Sequence, residues 1–294
     1  MNSVLQFPAP ADRLELSPPE APPRLVMVET LRPRTARLAR RWAGPGLRRF
    51  AGPILLLVVW QAVSALGLVD ERTITSPLSV VRAAQELYAT GDLQRHFSAS
   101  LVRVAYGLSL GISLGITLAL VAGFFRLGRD LIDSSLNMLR MIPVIAILPL
   151  IIVWMGIGEP AKIALIVIGT IFPIYMNSYA AIRGVDQKLI EAGRAYGLGR
   201  AGLIWRVIVP GAVPGFLVGL RWALGAAWLL LFFAEQVNAD SGIGYLINQA
   251  QAWNRTDIIL LGLTIYALLG LSGDLVVRLL ERRLLAWRRT FDGN

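Results

Sequence analysis

The chain has 294 residues, of which 55% are hydrophobic and only 16% charged, and its mean hydropathy is +0.59. A soluble domain of this length carries about 25% charge, so the composition points to a membrane protein. The net charge of +10 would suggest nucleic acid for a soluble chain, but the excess of Lys and Arg on the inner side of membrane proteins accounts for it.

Residues 1–50 hold eight prolines and nine arginines without hydrophobic periodicity, which reads as a disordered basic cytoplasmic tail. A short amphipathic helix at the membrane surface is expected over 34–50. No apolar run follows the start methionine, so no signal peptide is expected. A membrane domain then occupies 51–290. Runs of roughly 20 apolar residues, the length needed to cross a bilayer, give six spans: about 53–69, 99–124, 131–155, 161–182, 211–237 and 257–280. With the N-terminus inside, the cytoplasmic pieces hold 22 of the 29 Lys and Arg residues and the outer loops five. Both termini are therefore expected in the cytoplasm.

In the first outer loop, 70–98, Ser76-Pro77 reads as an N-cap followed by proline at the first helical position. His96, the only histidine, sits in polar sequence and is expected in solvent. Gly107, Gly111 and Gly115 are spaced four apart, a face that lets helix backbones approach closely and that suits either intramolecular packing or a subunit interface. Pro143, Pro149 and Pro173 fall within spans, as do the polar residues Gln61, Asn177, Arg221, Glu235 and Asp274, which need a reason to be there. Arg221 either favours an anion in a pathway or pairs with another helix; Arg103 is likewise compatible with an anion. Glu235, near an outer end, is expected to be hydrated.

No phosphate loop, HExxH, GxSxG or carboxylate cluster is present, so neither catalytic nor metal-ligating residues are expected. Cysteine is absent, which removes disulfides, thiolate ligands and cysteine nucleophiles. Between the fourth and fifth spans lies a loop, 184–210, far longer than a connector needs. Asp186 can cap a first helix ending near Gly197; a second carries Leu203, Ile204, Val207 and Ile208 on one face and is expected to stop before Pro210. The result is a knob with an apolar face and a basic rim, suited to docking.

Glu191-Ala192-Gly193, three residues, Gly197, nine residues, then Val207-x-Val209-Pro210 resembles the EAA loop of ABC importer permeases, with Gly193 and the two valines as departures. The stretches RMIPVIAILPLIIVWMGIGEPAKI (140–163), FPIYMNSYAAIRGVD (172–186), GLRWALGAAW (219–228) and NADSGIGYLI (238–247) resemble the sulfonate/nitrate/taurine branch, most of all its aliphatic sulfonate permeases. The resemblance covers about residues 53–290. It implies an all-α, six-helix, type I ABC importer permease (MetI-like) fold in a bacterial inner membrane. It also implies a second permease copy, two cytoplasmic ATPases carrying ATP and Mg, and an extracytoplasmic binding protein. The coupling residues would be Glu191, Ala192, Gly193, Gly197, Val207, Val209 and Pro210. The candidate anion pathway would include Arg221, Asn177 and Arg103. This chain itself would be no enzyme and would need neither cofactor nor nucleic acid. Aliphatic sulfonate is the expected cargo, with taurine, nitrate or bicarbonate as alternatives. An ion-coupled secondary transporter is the competing class, but the matching half-repeats it calls for are not visible.

Overall fold

The computed structural model describes residues 45–67 and 75–287. The expected basic tail lies outside them up to residue 44. The chain divides into two units, Met1–Ile54 and Leu55–Asn294. Of the described residues, the first unit holds only the start of helix α1 (Pro45–Ala65), and every later element belongs to the second.

Every regular element among the described residues is helical. After α1 come α2 (Pro77–Thr90), α3 (Asp92–Phe124), α4 (Arg126–Leu139), α5 (Leu148–Met155), α6 (Glu159–Arg183), α7 (Gln187–Ala195), α8 (Arg200–Leu203), α9 (Val209–Asn238), α10 (Ile243–Ala252) and α11 (Thr256–Leu284). Four runs are long and apolar enough to cross a membrane: α3, α6, Arg200–Val237 and α11. A fifth is reached if α4 and α5 form one span. The apolar part of α1, Ile54–Ala65, is shorter than the roughly 20 residues that a span needs.

The third expected span departs from a continuous helix: α4 and the stretch Val144–Met155, a short turn leading into α5, meet at a bend of 89°. Pro143 sits at the break with ψ of 116°. Its ring disfavours helical backbone at the preceding residue, and it has no N–H with which to continue the ladder. Pro149, by contrast, falls in the first turn of α5, where the missing donor would have been unpaired anyway.

α6 is the central helix, packed between α3 and α9. Leu165, Ile166, Thr170, Ile174 and Tyr175 on it are fully buried. The glycine face of α3 serves this packing. A Cβ on Gly107 would stand 2.6 Å from Ile166 Cγ2 and one on Gly115 2.8 Å from Ile174 Cγ2. Of the two uses open to the glycines, the intramolecular one is what the fold adopts. From α9, Gly219 approaches α6 just as closely, with Pro173 O 2.8 Å from where its Cβ would be.

The Ser76 cap forms, its Oγ accepting from Ser79 N at 3.1 Å. α2 then buries Val80, Ala83 and Leu87 against Leu246, Ala250, Ile258 and Leu261 of α10 and α11. Arg255 ties the same corner together, reaching Glu86 at 3.0 Å and Asp257 at 2.9 Å. Those hydrogen bonds, Asp257 first, raise the Arg255 pKa above its ordinary value.

Candidate functional site

Residues 184–210 form a compact knob. Asp186 caps α7 by accepting from Lys188 N at 2.9 Å. The other end closes with Gly197 at φ +79°, Gly197 N donating to Arg194 O at 2.9 Å and Leu198 N to Gly193 O at 3.0 Å. These two bonds and a left-handed glycine make a Schellman C-cap. Gly193 is the buried residue of α7, and a Cβ there would meet Leu203 Cδ2 at 2.8 Å. The glycine that departs from the family pattern therefore lets α7 seat directly on Leu203, beside Val207. Glu191 and Ala192 face outward on α7, while Val207, Val209 and Pro210 are half-buried. Around them Tyr196 (89% exposed), Trp205 (71%) and Leu189 present apolar surface that the other described residues leave open.

The second half of the knob does not stop before Pro210. α8 passes through a π turn at Ile204–Ile208 into α9, with Pro210 in the first turn of α9. Inside an α-helix the proline ring would clash with the carbonyl four residues back; a local π turn shifts that register and lets the helix run on. Arg200–Val237 is consequently one helical run of 38 residues, about 57 Å long at 1.5 Å per residue.

At the other end of the spans lies a buried charge network. His96, Ser100 and Arg103 occupy positions i, i+4 and i+7 of α3 and share one face. Arg103 Nη1 donates to Glu235 Oε1 at 2.7 Å and to Ser241 O at 2.6 Å. Its Nε and Nη2 grip Glu159 at 2.6 and 2.7 Å, a bidentate arrangement. Lys162 adds a bond to Glu159 at 2.9 Å. Glu235 is not hydrated: it is 0% exposed and also accepts from Ser100 Oγ, Gly244 N and Tyr266 Oη. His96 is likewise buried rather than solvated, its Nδ1 accepting from Gly242 N at 3.0 Å. Ile243 N donates to Ser100 Oγ at 2.8 Å. The first amides of α10, orphaned in any helix, are thus satisfied by side chains of α3 and α9, and the positive helix end faces a carboxylate. Gly242 and Gly244 are required because a Cβ on either would run into Glu235. Arg103, a pathway residue in the sequence reading, is engaged here by two carboxylates.

Arg221 lies apart from Arg103. Its Nε contacts Asp274 Oδ1 at 3.0 Å, and its Nη2 contacts both oxygens of Glu281 at 3.0 Å, joining α9 to α11. Asp274 is held from its other side by Arg278 Nε at 2.6 Å. Asn177 donates to Pro173 O at 2.8 Å on its own helix and packs against Gly219. The three residues Arg103, Asn177 and Arg221 are not gathered into one pocket. Among the described residues no group of three or more His, Asp or Glu could hold a metal ion.

Glu235, Glu159, Ser100, Gly242 and Gly244 were not among the expected site residues. For Gly242 and Gly244 the signal in the sequence is the NADSGIGYLI stretch, whose two glycines follow a carboxylate that ends an apolar run.

Comparison with known proteins gives the arrangement its context. The putative aliphatic sulfonates transport permease protein SsuC of Escherichia coli (strain K12) is 44% identical over 239 residues, covering 81% of this chain and 91% of that protein. The protein of the same description in Bacillus subtilis (strain 168) is 39% identical over 255 residues, covering 85% and 92%. A crystal structure of an amino acid ABC transporter with histidines shares the fold at a TM-score of 0.55 and 19% identity, covering 70% of this chain and 97% of that one. The profile of the binding-protein-dependent transport system inner membrane component matches residues 111–286. That match takes in the Arg221 cluster and the whole knob, and the chain belongs to this family of inner-membrane permease subunits of ABC importers.

Proposed function

We propose that this chain is the permease that admits aliphatic sulfonates to the cytoplasm, working as a homodimer with two ATPases that carry ATP and Mg and with an extracytoplasmic binding protein. The observation that carries the reading is the capped knob at 184–210. It exposes Leu189, Tyr196 and Trp205 on a chain that has no phosphate loop of its own. Glu191, Ala192, Gly193, Gly197, Val207, Val209 and Pro210 belong to the ATPase-coupling loop. Because α8 continues into α9, displacement of the knob is carried into the membrane by a helix rather than absorbed by a flexible loop. Closure of the ATPases can move the spans only through contacts that differ between the two states, and this is where such contacts form.

Sulfonate as cargo rests on the two relatives, both described as putative aliphatic sulfonate permeases. The test is uptake by a deletion strain carrying the gene on a plasmid, offered alkanesulfonate, taurine or nitrate in turn. Sulfonate uptake should depend on the gene; unchanged sulfonate uptake in the deletion strain defeats this assignment. An ATPase subunit should co-purify with the chain, whereas a secondary transporter would bring none.

The orientation follows from 22 of 29 Lys and Arg residues falling on one side, the side that faces the cytoplasm in membrane proteins. Both termini and 184–210 face the cytoplasm, and 238–256 faces outward. A cysteine placed at Arg200 in this Cys-free chain should resist a membrane-impermeant thiol reagent in intact cells, and one at Asp240 should react. Labelling at position 200 from outside would reverse the topology.

A further inference from the structure

We propose that Asp274 and Glu281 are built-in counter-anions for Arg221, and that the transported anion passes by displacing them from the guanidinium. The inference rests on the anion-importer reading and adds to it a residue-level exchange step. Arg221 is 12 residues into α9, about 18 Å from its start at 1.5 Å per residue, inside an apolar run. Its side chain is nevertheless 41% exposed, and the site of a Cβ on Gly225, one turn further along α9, has no atom within 4 Å. Its partner Glu281 is three residues from the end of α11, so Arg221 lies toward the knob end of the span, where a charge turned to lipid is still disfavoured. The open side of Arg221 therefore faces water or the second permease copy.

The geometry defines the competition. Both donors on the Nε–Nη2 edge of Arg221 are occupied, Nε by Asp274 at 3.0 Å and Nη2 by Glu281 at 3.0 Å. That edge is the planar fork with which arginine grips an oxyanion bidentately. A sulfonate bound to Arg221 would need the same two donors. Releasing the carboxylates is inexpensive. Asp274 keeps Arg278 at 2.6 Å, and Glu281 precedes Arg282 and Arg283 on the same helix. With all of these side chains at least 28% exposed, each contact is weak enough for solute to break. In the state described here the cluster is neutral, two cations with two carboxylates, and joins α9 to α11. An arriving anion would exchange for the carboxylates, loosen that joint and later be expelled by their return.

The experiment measures binding of radiolabelled methanesulfonate, and separately nitrate, to the purified permease–ATPase complex without binding protein, alongside uptake in proteoliposomes. Glu281→Gln should tighten anion binding roughly threefold to fivefold, the range in which exposed pairs act, while slowing maximal uptake because expulsion loses its competitor. Asp274→Asn should act in the same direction, and Arg221→Gln should abolish the binding. A purely structural ion pair predicts lower yield of complex with unaltered affinity. Unaltered affinity in both carboxylate variants overturns the proposal, as does undetectable binding in all forms. Tightened nitrate binding in a complex that fails to import sulfonate leaves the exchange standing and corrects the substrate.

Discussion

Glu235→Ala should destabilise the permease by about 2–4 kcal/mol, the cost of leaving several buried donors without their acceptor. Arg103 would keep Glu159 but lose its contact with Glu235, and Gly244 N and Ser100 Oγ would lose their acceptor as well. An apparent Tm of the purified complex about 10 °C lower is the expected reading. Arg103→Ala should cost a comparable amount, because it leaves Glu235 buried with only neutral donors. The two losses should not add, since the interaction removed is shared, so the double variant should unfold close to either single one. Glu235→Gln keeps the shape and one accepting oxygen but turns the other into a donor, so it forfeits the bond from either Arg103 or Gly244, and should fall between wild type and Glu235→Ala. Single variants within about 1 °C of wild type would mean that the network contributes nothing to the folded complex.

The consequence of this network reaches beyond stability. Arg103, Glu235 and Glu159 bring together α3, α6, α9 and the start of α10, while Tyr266 adds α11. Toward the other end of α9, the Arg221 cluster is held by ion pairs that are partly exposed and individually weak. One end of the fold thus contains a desolvated charge pair, Arg103–Glu235, and the other only ion pairs that are more exposed.

Features set by short-range chemistry were legible in the sequence. Ser76, Asp186 and Gly197 did what their residue types favour at helix ends, because caps depend on the neighbouring few residues. The glycines at 107, 111 and 115 announced a close helix contact, though not its partner, α6. Pro210 misled, since a proline that normally ends a helix was accommodated by a π turn one step earlier. Pro143 was visible, but an apolar run of sufficient length concealed that it breaks the span. His96 and Glu235 were misplaced for a different reason. Their partners, Gly242 and Arg103, are 146 and 132 positions away, and nothing local distinguishes a hydrated polar side chain from one buried by a distant helix. The i, i+4, i+7 spacing of His96, Ser100 and Arg103 was the one available hint, and it identifies a face without saying what covers it.

Gly197→Val should depress uptake and substrate-stimulated ATP hydrolysis together while leaving the membrane helices intact. The position holds φ at +79° and has open space where a Cβ would stand, so the penalty is one of backbone conformation and not of crowding. A left-handed conformation costs an ordinary residue about 1–2 kcal/mol, and a β-branched one more. If the backbone relaxes instead, the bonds from Gly197 N to Arg194 O and from Leu198 N to Gly193 O are lost and the end of α7 unwinds. About 2 kcal/mol is close to a factor of 30 in the population of the docking-competent knob, so substrate-stimulated ATP hydrolysis and uptake should both fall by about tenfold or more. Asparagine tolerates this backbone region, and Gly197→Asn should retain most of the activity. Gly193→Ala meets only the flexible tip of Leu203, at 2.8 Å, and should be mild. This order, valine far worse than asparagine or the Gly193 variant, separates a conformational role from simple sensitivity of the loop. Wild-type transport and hydrolysis in Gly197→Val would reduce the knob to a connector.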